Sequence, residues 1–193
     1  MIKTTAILLE ELSSYASPKT KLSRMVQNGD CFQIVRGLYE TDRNVSPHLL
    51  AGSIYGPSYI SFEYALSYYG LIPEAVYTVT CACFDKKKKK KYDTPFGTFT
   101  YRDVPAEVFP LFTELKREGE YWYRIALPEK ALCDELYTMS PVRNIRELSV
   151  LLFEDLRIEE SAVRQMNQDV VAELKGAYHS TNVSRLYSFL RRI

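Results

Sequence analysis

Six lysines in unbroken succession, Lys86 to Lys91, hold one stretch of this chain at the water surface whatever the rest of it does. Like charges at that density repel one another and cannot be buried, so the segment reads as a solvated, mobile loop joining the strand-like runs on either side. The rest of the chain offsets this charge. Over 193 residues Lys+Arg 25 stand against Asp+Glu 24, a formal net charge of +1. Any affinity for a polyanion must therefore come from local clustering rather than from a histone-like excess. Apolar residues at 46% and charged residues at 25% are the balance of a folded chain. The length suits one core, or a small domain joined to a larger one.

Several classes drop out early. The longest apolar runs, Ile7 to Leu9 and Ala75 to Phe84, fall well short of the roughly 20 residues of a membrane helix. Met1 to Thr5 lead quickly into Glu10-Glu11 with no long apolar region, so a secretory leader is not expected and a cytoplasmic location is. Cys31, Cys81, Cys83 and Cys133 are accordingly expected to be reduced. Cys81 and Cys83 would share one strand face, which suits core packing. His48 and His179 lie far from them in sequence, so neither a metal nor a cofactor is expected. Two histidines and 8 glycines do not assemble a Ser-His-Asp set or a phosphate-cradling loop, and no enzymatic activity is expected.

Periodicity divides the chain near residue 45. Ile2, Ala6, Leu9 and Leu12 fall at helical spacing, and a second helix follows Ser17-Pro18 and ends at Gly29. Its buried stripe is expected to be Leu22, Met25 and Val26. Cys31 to Val35, the turn Arg36-Gly37 and Leu38 to Glu40 then read as a hairpin. Helix, helix, hairpin is the outline of a winged helix-turn-helix at residues 1–45, with Asp42 to Pro47 as the joint. Residues 46–193 read as a mixed domain. Ser58 is expected to cap a helix running to Tyr69 before Gly70, and Val76–Phe84, Phe96–Arg102 and Tyr121–Ala126 are expected to form a small antiparallel sheet. A helical layer follows. One helix opens at Pro128 with Leu132, Cys133 and Leu136 inward, one is capped by Asn144 and Glu147, one spans Asp169 to Tyr178, and the last starts at Asn182. The fold class is α+β.

Four stretches together resemble one family. They are Lys21 to Gly29 with Val35-Arg36-Gly37-Leu38-Tyr39, then Pro57-Ser58-Tyr59-Ile60-Ser61-Phe62-Glu63-Tyr64-Ala65-Leu66-Ser67-Tyr68-Tyr69-Gly70-Leu71, then Thr94 to Arg102, and finally Arg124-Ile125-Ala126-Leu127-Pro128-Glu129-Lys130-Ala131-Leu132-Cys133-Asp134. The chain is similar over most of its length to the AbiEi antitoxins of type IV toxin-antitoxin (abortive infection) systems. The resemblance implies a regulator whose winged helix binds its own operon promoter. It also implies a larger domain that counteracts a nucleotidyltransferase-like toxin without a stable complex. Family winged helices carry three helices before the wing, whereas residues 1–29 hold two, so the resemblance implies a trimmed reading unit.

Within that framework Lys21, Arg24 and Asn28, at i, i+3 and i+7, are the candidate DNA-reading residues, with Arg36 as the wing contact. Lys86, Lys87, Lys88, Lys89, Lys90 and Lys91 are candidate phosphate contacts, and six neutralised phosphates would give a salt slope near about −5. Tyr59 and Tyr68, from a cluster of tyrosines around one helix, are candidate interface residues. Two alternatives stand beside this reading. One is an interaction module without sequence-specific DNA binding. The other is a metal-dependent nuclease using Glu129 and Lys130, although their spacing with Asp134 also fits a helix first turn with an i, i+4 ion pair.

Overall fold

The structure is a computed structural model that describes residues 1–192. It is an α+β fold with a three-stranded antiparallel sheet and a six-stranded mixed sheet. The N-terminal unit runs β1 (Lys3–Thr4), α1 (Thr5–Glu11), α2 (Pro18–Asn28), β2 (Phe32–Val35) and β3 (Leu38–Glu40). Pro18 fits the first turn of α2 because its missing N–H is one that no helix would bond there. Gly29 closes that helix at φ +78, a left-handed conformation that costs a residue without Cβ nothing. Strand β1 pairs antiparallel with β3, which pairs with β2, giving the order β1-β3-β2. In α1 the inward residues are Leu8 and Leu12, while Ala6 faces water and Leu9 is half-buried. The expected Ala6–Leu9 stripe is thus displaced, because Lys3 and Thr4 form β1, Ile2 precedes it, and the helix starts only at Thr5.

After a 3-10 turn at Pro47–Leu50 the chain forms α3 (Ala51–Ile54), β4 (Tyr59–Ile60), α4 (Phe62–Tyr68), β5 (Val79–Cys83), β6 (Lys90–Thr94), β7 (Gly97–Asp103), β8 (Thr113–Glu118) and β9 (Tyr121–Ala126). The sheet order is β6-β7-β5-β4-β9-β8. It is not the small antiparallel sheet expected, since β5 runs parallel to β7 and β4 parallel to β9. The pivot is β4. Its two residues are both buried and sit between β5 and β9, so they show no alternation that a sequence could display. For the same reason the helix does not start at Ser58. Tyr59 and Ile60 are held by the sheet, Ser58 donates to the Tyr55 carbonyl at 2.6 Å, and α4 begins after Ser61. Phe62 makes that corner at φ +56, unfavourable for an aromatic residue, and is retained by complete burial under the Arg102 guanidinium, 4.3 Å from its ring.

The helical layer comprises α5 (Pro128–Thr138), α6 (Ile145–Val150) continuing into a π turn at Leu151–Asp155, α7 (Glu160–Arg164), α8 (Gln168–Tyr178) and α9 (Thr181–Leu190). Asn144 caps α6 as expected, accepting from the Glu147 N–H at 2.9 Å. Helix α9 starts at Thr181, one residue before the expected Asn182, and Asn182 is buried in its first turn. Its amide donates to the carbonyls of Leu136 (2.9 Å) and Ser140 (3.1 Å), and its oxygen accepts from the Val142 N–H (2.8 Å). It thereby ties the last turn of α5 and the segment after it to α9.

The N-terminal unit has a small core of Leu8, Leu12, Leu22 and Cys31. The other side of its sheet joins the large core through Ile34, with Phe32 packed edge-to-face on Phe96 at 6.1 Å. Glu40, fully buried, closes the contact. It accepts from the N–H groups of Thr41 (2.7 Å) and Asp42 (3.0 Å) and from the Tyr121 hydroxyl (2.9 Å). All four cysteines are buried free thiols.

Replacing the buried Asn182 by Ala removes its bonds to the Val142 N–H and to the Leu136 and Ser140 carbonyls, and should destabilise the fold by about 1–3 kcal/mol. Urea unfolding should show this as a lower midpoint at an unchanged m-value.

Candidate functional site

The residues expected to meet DNA are brought to the surface together on α2. Arg24 and Asn28 are exposed and Lys21 is half-buried, its ammonium lying 5.1 Å from the ring centre of Tyr15. Arg36 is exposed in the turn between β2 and β3, where Gly37 takes φ +88 and its carbonyl accepts from the Thr5 N–H at 3.0 Å. That bond ties the hairpin turn to the start of α1. Among the described residues none of Lys21, Arg24 and Arg36 is in an ion pair. The stripe lies on the side of α2 away from an open groove of about 370 Å³, which Leu9, Leu22, Val26 and Tyr39 line.

The lysine run is less uniform than its composition. Lys90 and Lys91 are not in a loop but in β6, opposite Tyr101 and Thr100. They are drawn in because Tyr92 packs edge-on against Tyr101 at 5.9 Å and near Tyr55. Strand β6 is an edge of the sheet, where lysines also discourage pairing with another chain. Lys91 pairs with Asp93 at 3.2 Å, the Lys87 N–H donates to Asp103 at 2.5 Å, and the Lys86 ammonium lies 5.4 Å from the Tyr55 ring centre. Lys88 and Lys89 remain in the exposed link. The expected six free cations are therefore five without a carboxylate partner, unequally presented.

The two tyrosines separate. Tyr68 is 44% exposed, with its hydroxyl 3.4 Å from both the Tyr123 hydroxyl and the Lys116 ammonium. Tyr59 is 1% exposed and has no surface to offer a partner. It belongs instead to a sealed polar network around Asp134. One oxygen of that carboxylate accepts from Ser61 (2.6 Å) and Tyr59 (3.0 Å). The other accepts from the Lys130 ammonium (2.9 Å) and from the Tyr178 hydroxyl, which itself accepts from Lys130 (2.5 Å). Burial lowers the Lys130 pKa against the pull of Asp134, and burial followed by the Asp134 charge drives Tyr59 and Tyr178 well above the ordinary phenol range. Both phenols are therefore proton donors.

The residues of the nuclease alternative lie in and beside this network. Lys130 has no exposure at all, and Glu129 accepts from the Asn167 N–H at 2.8 Å, so the two do not form an open pair toward solvent. Among the described residues no three His, Cys, Asp or Glu side chains converge as a metal site. What the network does is join β4, α5 and α8. Sequence reading found the Lys130–Asp134 pair but missed its depth and its partners Ser61 and Tyr178. The available signal was the broad apolar arc of Ala131, Leu132, Cys133 and Leu136, roughly 200° of α5 and wider than a one-sided stripe needs.

Beside the network, Arg102 bridges Glu63 and Glu135. Its second nitrogen pairs with Glu63, while Glu135 stands 3.6 Å from the first with one oxygen unbonded. Burial, then the Glu63 charge, outweigh Arg102 and push the Glu135 carboxyl up to about 7. Compared with known proteins, the chain matches no family model and no curated protein sequence.

Two outcomes follow from these buried charges. Asp134→Ala strands the Lys130 ammonium and should cost about 3–5 kcal/mol, whereas Lys130→Met/Asp134→Leu, which removes both charges, should cost less than the single change; urea unfolding decides. Glu135 holds its proton more tightly folded than unfolded, so its contribution is complete below the unfolded value near 4.5 and is lost as pH rises through about 7. Stability curves across that window should fall for the parent chain and be flatter for Glu135→Gln.

Proposed function

We propose that this chain is an antitoxin-type transcriptional regulator that occupies its own operon promoter. The observation that carries the reading is the α2 stripe of Lys21, Arg24 and Asn28, the last two exposed and Lys21 half-buried, without carboxylate partners among the described residues, and followed directly by the hairpin that carries Arg36. The order β1-β3-β2 around two helices supports a winged-helix reading of residues 1–45, as does the resemblance of this segment to AbiEi proteins. In this reading α2 enters the major groove. The Arg24 guanidinium and the Asn28 amide present donors and acceptors to base edges, while Lys21 and Arg36 neutralise phosphates and set the register. Lys86 to Lys90 add charge that does not depend on sequence. The larger domain then opposes a nucleotidyltransferase-like toxin encoded beside it, without a stable complex, and the regulator acts in the cytoplasm. No described helix is long and apolar enough to cross a membrane.

Fluorescence anisotropy on upstream DNA and on a scrambled duplex, at several salt concentrations, tests it. The parent chain should prefer the upstream duplex, and Lys21→Ala/Arg24→Ala should weaken binding at least tenfold with a salt slope shallower by about 1, the share of the Lys21 phosphate contact. Equal binding to both duplexes, unchanged in the variant, would remove promoter reading and leave the interaction-module alternative.

A further inference from the structure

The hairpin of β8 and β9 turns an unusual face to water. Its register sets Leu115 opposite Arg124 and Arg117 opposite Trp122, so strand alternation gathers these four side chains on one side. The same alternation sends Tyr123 and Ile125 to the core, and puts Glu114, Lys116 and Glu118 on the opposite side from Arg117. Trp122, the chain's one tryptophan, is 58% exposed and Leu115 is 52% exposed. The indole and Leu115 together leave an apolar patch open to water on a face that also carries two arginines.

The two arginines are exposed and held by neutral groups alone. The Arg117 Nε donates to the Gly119 carbonyl at 2.9 Å, and its guanidinium lies 5.7 Å from the indole centre. The Arg124 Nη1 donates to the Thr113 hydroxyl at 3.1 Å. Neither makes an ion pair among the described residues, although the surface holds several carboxylate-paired cations such as Lys3, Lys91 and Arg164. The face therefore offers one flat π surface, two oriented cations with donors to spare, and no carboxylate in its strand positions. A polymer that carries an anion and an aromatic face in every unit complements all three features. An acidic peptide would satisfy the arginines but has no ring for Trp122, and a duplex keeps its base faces stacked within itself.

We propose that the β8–β9 face binds single-stranded nucleic acid, with one base stacked on Trp122 and the neighbouring phosphates on Arg117 and Arg124. The site is separate from the α2 stripe and does not depend on the promoter reading.

Because Trp122 is the single tryptophan, its fluorescence reports on this face directly. Titrating the full chain with a ten-nucleotide oligothymidylate should give saturable quenching that weakens with salt at a slope of about −1.4, the value for two phosphates on a single strand. Arg117→Gln/Arg124→Gln should weaken it at least tenfold. Trp122→Ala, followed by anisotropy of the labelled oligonucleotide, should weaken binding at least fivefold. Lys21→Ala/Arg24→Ala should leave the quenching unchanged, which separates this site from α2. The proposal is overturned by absence of quenching at low salt, by quenching that survives the double arginine change, or by its loss in the α2 variant. Equal or stronger quenching by polyglutamate, which would mark an acidic-protein surface, or by a blunt duplex of matched length overturns it as well. Circular dichroism of each variant confirms that a lost signal is not lost structure.

Discussion

An ammonium and a carboxylate removed from water together are tolerable only when other polar groups close around them, and Lys130 with Asp134 gains three hydroxyls from elsewhere in the chain, with the ammonium also set over the Tyr59 and Tyr178 rings. Tyr59 and Ser61 come from β4 and the corner after it, and Tyr178 from the last turn of α8. Any rotation of α5, shift of the two-residue strand or sliding of α8 would leave a buried charge short of a donor. The network is thus less a source of net stability than a specification of how sheet and helical layer fit. It also explains the strained corner at Phe62, because Ser61 must point at Asp134 while α4 departs in the following residue.

The N-terminal unit depends on that frame. Its own core of four buried residues is too small to stand alone, and it gains the rest of its burial by placing Ile34, Phe32 and Glu40 against the large domain. The contact through Glu40 reaches Tyr121 at the start of β9, and Glu118 at the end of β8 meets His48 at 3.1 Å. The turn end of the β8–β9 hairpin is consequently braced. Its exposed face can be rigid enough to orient two arginines without the help of carboxylates.

Local signals in the sequence translated well wherever one residue type fixes a backbone conformation. Pro18 and Gly29 bound α2, Gly37 makes the hairpin turn, and Asn144 opens α6, because each acts within a turn of its own position. Signals that rest on distant partners did not. Strand β4 has no periodicity in two residues, β6 is masked by lysines, and the parallel pairs of the sheet arise from connections between segments far apart in the chain. Of the candidate site, the cationic stripe of α2 was legible as helical spacing. The burial of Tyr59 was not, since a tyrosine in an aromatic cluster reads the same inside or out.

By itself the sequence determined an α+β chain, a helix-helix-hairpin beginning, a helical final third, and a near-neutral charge with its cations in clusters, because these follow from propensity, capping and composition. Tertiary structure alone decided which of those charges face water. Lys130 and Lys90 are both lysines in regular structure, yet one is enclosed by phenols and a carboxylate and the other lies on an open sheet edge. The difference is set by what packs across from each, and for Lys130 the segments of β4, α5 and α8 have to meet before that is defined.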